Sequence, residues 1–176
     1  MKKLFLTAIL AVACVFSATA QENVLSKGTS IASLGVGFTT VSHGKLTFPP
    51  VAVMYEYGVA DFGRPGSIGV GAYVGMYGSH YNDFYKYSYF YTPIGVRGAY
   101  HFTIKNNWEV YGGAVLGAEI TSSSWKVDSV KSSDTSVGFM YSIFAGTRYM
   151  FTDSIGAFLE LGYGIAYATV GISFKF

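Results

Sequence analysis

The chain has a single cysteine, Cys14, and it lies within the first 20 residues. One thiol makes no internal disulfide, no C-x-x-C redox pair and no thiolate metal set. Charge is scarce as well: 12% of residues are Asp, Glu, Lys or Arg, with 12 basic residues against 10 acidic ones. No basic stripe is present, so a nucleic-acid partner has no electrostatic footing. The three histidines, His43, His80 and His101, have no pair at metal-ligand spacing. Neither a nucleophile elbow nor a zinc-protease helix motif occurs, and no phosphate-cradling loop precedes a helix. No cofactor is expected. Beyond residue 20 no apolar run approaches the roughly 20 residues that a membrane-spanning helix requires.

The first 20 residues, MKKLFLTAILAVACVFSATA, contain the one long apolar run. Lys2 and Lys3 precede it, and Ala18-Thr19-Ala20 follows as an A-x-A cleavage site. This is the layout of a secretory signal peptide, and the run is too short for a spanning helix. The expected domains are therefore residues 1–20 as a signal peptide and 21–176 as the exported domain. Export also removes Lys2 and Lys3, leaving ten basic residues to match the 10 acidic ones.

What the chain does have is apolar and aromatic residues spread thinly. Hydrophobic residues make up 51%, with 22 Gly, 15 Tyr and 14 Phe. They fall into eight segments of strict alternation, which is the signature of strands with one apolar face. The segments run over 29–40, 50–59, 67–78, 92–103, 108–120, 137–151, 155–164 and 168–176. In the third, Ile68, Val70, Ala72, Val74 and Met76 share one face, and Gly69, Gly71, Tyr73, Gly75 and Tyr77 the other. Connections alternate between long and short, with long polar stretches at 41–49, 79–91 and 121–136; the last link, before Ala168, is short. Tyr55, Tyr57, Tyr100, Phe102, Trp108, Tyr149, Phe151, Phe174 and Phe176 all lie on the apolar face beside the short turns. That places them at one height, as an aromatic girdle at a lipid–water boundary.

The closing stretch ATVGISFKF alternates Ala168, Val170, Ile172, Phe174 and Phe176 with small or polar residues. Apolar alternation ending in a carboxyl-terminal aromatic resembles the terminal signal of Gram-negative outer-membrane barrels. YTPIGVRGAYHF, EVYGGAVLGAEI and LELGYGIAYATVGISFKF extend the likeness over most of the barrel. The chain resembles the small eight-stranded outer-membrane proteins of the OmpX and OmpA-barrel type, especially the short barrels of Bacteroidota. The fold this implies is all-β, an eight-stranded antiparallel transmembrane barrel in up-and-down order. It implies residence in outer-membrane lipid, assembly signalled by Phe174 and Phe176 to the barrel-assembly machinery, a monomer, and a structural or surface role without catalysis. The competing fold is a soluble eight-stranded barrel with its oily face inward. It would leave only seven charges on the solvated face of eight strands.

Seven charged residues fall on the inward face: Glu56, Arg97, Glu109, Glu119, Arg148, Glu160 and Lys175. Buried charges persist when paired, so a network is expected, with Arg148 and Glu160 on neighbouring strands as its leading pair. A small barrel is filled by side chains; the alternative is a narrow pore lined by these groups. His101 is expected to meet Glu109 across a short hairpin. The stretch 79–91 is rich in tyrosine. Tyr81, Phe84, Tyr85, Tyr87 and Tyr89, with Trp125 of the next long stretch, form a candidate surface for an extracellular ligand, since tyrosine gives large contact area at low entropy cost. Equally, Tyr87, Tyr89 and Tyr91 could extend the fourth strand as an outer girdle. Ser79 and His80 are the one candidate pair for a lipid A-modifying enzyme.

Overall fold

A computed structural model of the chain describes residues 23–39, 45–62, 66–82, 86–127 and 130–176, without the side chains of residues 45, 81, 82, 86, 87, 126, 127, 130 and 131. Cys14, the proposed signal peptide, His43, Phe84 and Tyr85 lie outside the described residues, as do the side chains of Tyr81 and Tyr87. Eight strands follow in order: β1 (Ser30–Phe38), β2 (Lys45–Asp61), β3 (Gly66–Asn82), β4 (Lys86–Lys105), β5 (Trp108–Val127), β6 (Val130–Met150), β7 (Ile155–Tyr163) and β8 (Ala168–Lys175). Each pairs antiparallel with the next, and β8 returns to β1 from Phe38↔Ala168 to Ile31↔Lys175, closing the barrel.

Alternation sets the two faces. Val96, Leu116, Ile143 and Leu161 point outward and are 63%, 57%, 58% and 60% exposed. Their alternate neighbours Arg97, Val115, Ser142 and Glu160 are buried inside. An exposed continuous apolar band over a polar interior is a lipid-facing wall, the reverse of a soluble barrel. Beside the short turns, Tyr55 packs 6.5 Å from Phe176 and Tyr149 5.6 Å from Phe151 between ring centroids. A second set of exposed rings, Phe139, Tyr141, Tyr163 and Tyr167, lies toward the opposite end of the band.

Strand length departs from the sequence-based expectation. β1, β7 and β8 have 9, 9 and 8 residues, while β4, β5 and β6 have 20, 20 and 21. About 9–11 residues cross a bilayer. The stretches 79–91 and 121–136, expected as loops, are therefore mostly paired strand: Tyr81↔Tyr87 and Lys126↔Lys131 still lie in the ladders. The 41–49 connection likewise becomes strand from Lys45 onward. The reason is physical. Alternation marks a strand only where one face meets lipid; above the band both faces are wet, the pattern disappears, and backbone pairing continues. Pairing between β6 and β7 stops at Ile143↔Tyr163. Beyond it, among the described residues, β6 runs on with no partner on its β7 side, so β2–β6 stand above the rest of the barrel as an open sheet.

Candidate functional site

The interior is layered. At the short-turn end, residues 23–29 fold back into the mouth. The Val24 amide donates to Thr103 Oγ1 at 3.2 Å, the Ser67 hydroxyl donates to the Leu25 carbonyl at 2.5 Å, and the Lys27 amide donates to Asp61 Oδ2 at 3.0 Å. Val24 and Leu25 pack with Ile31 and Met150 as a buried apolar stopper. At the other end Ala52, Met54, Tyr73, Val115, Met140, Phe144 and Ile165 form an apolar cap. Ile165 arrives from the link between β7 and β8, where Gly164 takes a φ of +117°, a conformation that costs a side-chain-bearing residue strain.

Between stopper and cap sits the charge cluster. Arg97 donates to Glu160 through both terminal nitrogens, at 2.5 and 3.3 Å, and its Nε lies 3.2 Å from Glu56 Oε1. Arg148 reaches Glu56 Oε2 at 3.0 Å, donates to Glu109 Oε1, and gives its Nε–H to Ser173 Oγ at 3.1 Å. His101 Nδ1 lies 3.2 Å from Glu109 Oε1, and its Nε2 makes a 3.4 Å charge contact with Glu56 Oε1 that lacks hydrogen-bond alignment. Three carboxylates thus face two guanidiniums and one imidazole, so each buried charge has an opposite partner. The Tyr111 hydroxyl donates to Glu160 at 3.0 Å, and the Arg97 guanidinium lies 3.6 Å over the Phe144 ring. Gly146 leaves the room: a Cβ there would come within 2.8 Å of Tyr111 and Glu160 side-chain atoms.

The seven sequence-nominated charges separate into three groups. Glu56, Arg97, Glu109, Arg148 and Glu160 gather in the cluster, but the pairing differs from the one expected. Arg148 pairs with Glu56 and Glu109, while Glu160 pairs with Arg97. Adjacent strands do not suffice: in the β6–β7 ladder Arg148 stands opposite Phe158 and Glu160 opposite Gly146, so closure of the barrel gives each a different partner. Glu119 lies outside the cluster and accepts a hydrogen bond from Tyr77 at 2.8 Å. Lys175 stays near the short turns, its amide donating to the Ser154 carbonyl at 2.8 Å, and makes no ion pair among the described residues. Sequence reasoning missed Val24 and Leu25; their trace was two apolar residues inside a polar stretch. It also missed the second partner of His101.

A second surface lies above the cap. Tyr89 and Tyr91 are on the inward face of β4, so they belong to no lipid-facing girdle. Tyr77 and Tyr91 stack at 4.6 Å with an 11° tilt, and Tyr89 follows at 6.2 Å and 22°. Trp125 stands opposite Tyr87 in the same ladder. The described interior itself holds a cavity of about 20 Å³ beside Arg97, Glu160 and Ile165, room for about one water.

A family model described as outer membrane protein beta-barrel domain matches residues 8–174. The chain belongs to that family. Among solved structures, the barrel is similar to Ail, the attachment invasion locus protein of Yersinia pestis, at 14% identity and TM-score 0.52, over 85% of this chain and 99% of that one. It is similar to Neisserial surface protein A at 14% identity and TM-score 0.51, over 84% and 95%. A de novo designed transmembrane β-barrel matches at 16% identity and TM-score 0.50, over 86% and 98%. Identity this low speaks for the fold alone. Curated proteins yield no match. This barrel therefore resides in the outer membrane of a Gram-negative bacterium, with its apolar band in lipid. In that setting Ser79 and His80 are separated by the sheet itself: Ser79 is buried on the inward face, whereas His80 Nδ1 lies 3.1 Å from Thr47 Oγ1 on the outward side. Adjacent strand residues cannot act on one substrate from opposite faces.

Proposed function

We propose that this chain is a sealed, non-enzymatic outer-membrane barrel whose β2–β6 sheet acts in recognition at the cell surface. The single observation that carries this reading is the layering of the interior. A stopper, a paired charge cluster and an apolar cap fill the lumen in succession, while among the described residues the standing sheet is what exceeds a bilayer span. An ion entering from either mouth meets buried apolar side chains before it reaches the charge cluster. Ail carries attachment in its name; the same class of role is proposed here, with the sheet's inner face as contact surface. Residues 1–20 are proposed to be removed on export, and Phe174 and Phe176 to be read by the assembly machinery.

Two measurements test this. Purified barrel, inserted in a planar bilayer, is expected to stay silent; discrete reproducible current steps would remove the sealed reading. For recognition, the hairpins are cut back at paired positions, joining 78 to 90 and 122 to 135 through two-residue turns. Cells displaying the shortened barrel are expected to lose adherence to surfaces that hold wild-type cells. Equal adherence would refute a role for the sheet.

A further inference from the structure

The inner face of the standing sheet divides into two halves with different chemistry. On β3 and β4 it is aromatic, with Tyr77, Tyr91 and Tyr89 in a near-parallel, half-exposed stack. On β5 and β6, below Trp125, it carries short oxygen-bearing side chains. Register sets Thr121 opposite Ser136 and Ser123 opposite Asp134, and the same ladders join Tyr91 to Thr121 and Tyr89 to Ser123. Each cross-strand row therefore runs from a ring to hydroxyls or a carboxylate. Below these rows Glu119 accepts from Tyr77 at 2.8 Å, which fixes the ring before any ligand arrives. Ser79, beside the stack on the same face, is buried, and its hydroxyl has no hydrogen-bond partner among the described residues. The cap residue Met140 forms the floor. Among the described residues the face opens sideways toward β7, β8 and β1, since those strands stop at Tyr163, Ala168 and Phe38.

We infer that this face is a binding site for an uncharged oligosaccharide, a ligand class for the recognition role proposed above and resting on that reading. A pyranose is a disc with apolar C–H groups on its faces and hydroxyls around its rim. Ring faces beside a border of Ser, Thr, Asp and Glu oxygens match both surfaces of the disc. A polyanionic glycan fits poorly: Glu119 and Asp134 are acidic, and no Lys or Arg with a described side chain lies on this face. An extended peptide also fits poorly, because the face offers oxygens where apolar side-chain pockets would be needed.

Outer-membrane vesicles displaying the full barrel are passed over immobilised neutral oligomers of glucose, galactose, mannose and N-acetylglucosamine, with heparin and a random peptide pool as controls. Saturable binding to at least one neutral oligomer is expected, weakened tenfold or more by Tyr91→Ala and by Glu119→Gln, and largely kept by Tyr91→Phe. Altered gel mobility before and after boiling confirms that each variant is folded. Should Tyr91→Ala fail to fold, Asp134→Asn at an exposed position takes its place. Absence of binding to every neutral oligomer, indifference to these substitutions, or capture only by heparin or peptide would overturn the inference. Adherence that is lost on hairpin shortening, yet independent of sugar, would discard the ligand class and leave surface recognition standing.

Discussion

Arg97 and Glu160 face each other across the barrel, from β4 to β7, and meet in a two-pronged contact of 2.5 and 3.3 Å. No ladder joins their strands. The pair is a strut between opposite walls, and its planar fork fixes both side chains in one geometry. With Arg148 tied to Glu56 and Glu109, the cluster links β2, β4, β5, β6 and β7 at one level. Such ties set the shape of the lumen more than they add net stability, because desolvation offsets much of the attraction.

Removing one member of the strut is therefore costly, and removing both is much less so. Glu160→Gln leaves Arg97 short of its main carboxylate and is expected to lower stability by about 3–5 kcal/mol. The double variant Arg97→Met with Glu160→Leu is expected to recover most of that loss. Reversible urea unfolding from lipid vesicles measures both; equal destabilisation by the two would show that the pair is not a mutually dependent strut.

The stopper gives a second test. Leu25 is fully buried at the short-turn mouth with its carbonyl bound by Ser67. Leu25→Asp places a carboxylate among Val24, Ile31 and Met150 and is expected to expel the segment, at a cost of about 2–4 kcal/mol. Protease access to residues 23–29 in the refolded barrel should rise with it. Unchanged protection would place the segment's anchoring elsewhere.

Gly164 supports the opposite closure. Gly164→Ala demands a left-handed backbone with a side chain and sets its Cβ against the Tyr141 carbonyl, so a loss of about 1–2 kcal/mol is expected. Ile165→Ala, which removes cap volume without backbone strain, separates the two effects. If Gly164→Ala leaves the unfolding midpoint unmoved, the link adopts another path.

The height of the lipid band can be read by charge insertion along β5. Leu116→Arg faces the middle of the apolar wall and should cost about 2–4 kcal/mol. Ser122→Arg, on the same face but past Ile120, should cost almost nothing. A similar penalty at both positions would move the membrane boundary up the standing sheet.

Alternation by itself determined the membrane-crossing segments, the face each turns to lipid, the girdle at the short turns and the identity of the inward charges. These are local properties: in a strand, neighbours point to opposite sides, so a window of ten residues reveals the lipid face. Only the tertiary structure decided which acid meets which base, because Arg97 finds Glu160 through closure of the barrel and not along any ladder. It also decided the fate of the polar stretches. SSSWKV and KSSDTS carry no lipid-facing alternation and read as loops, yet they pair as strands once the apolar rows beneath them set the register. Val24 and Leu25 were silent for the same reason. Two apolar residues in a polar segment have no period, and only the mouth of a closed barrel gives them somewhere to be buried.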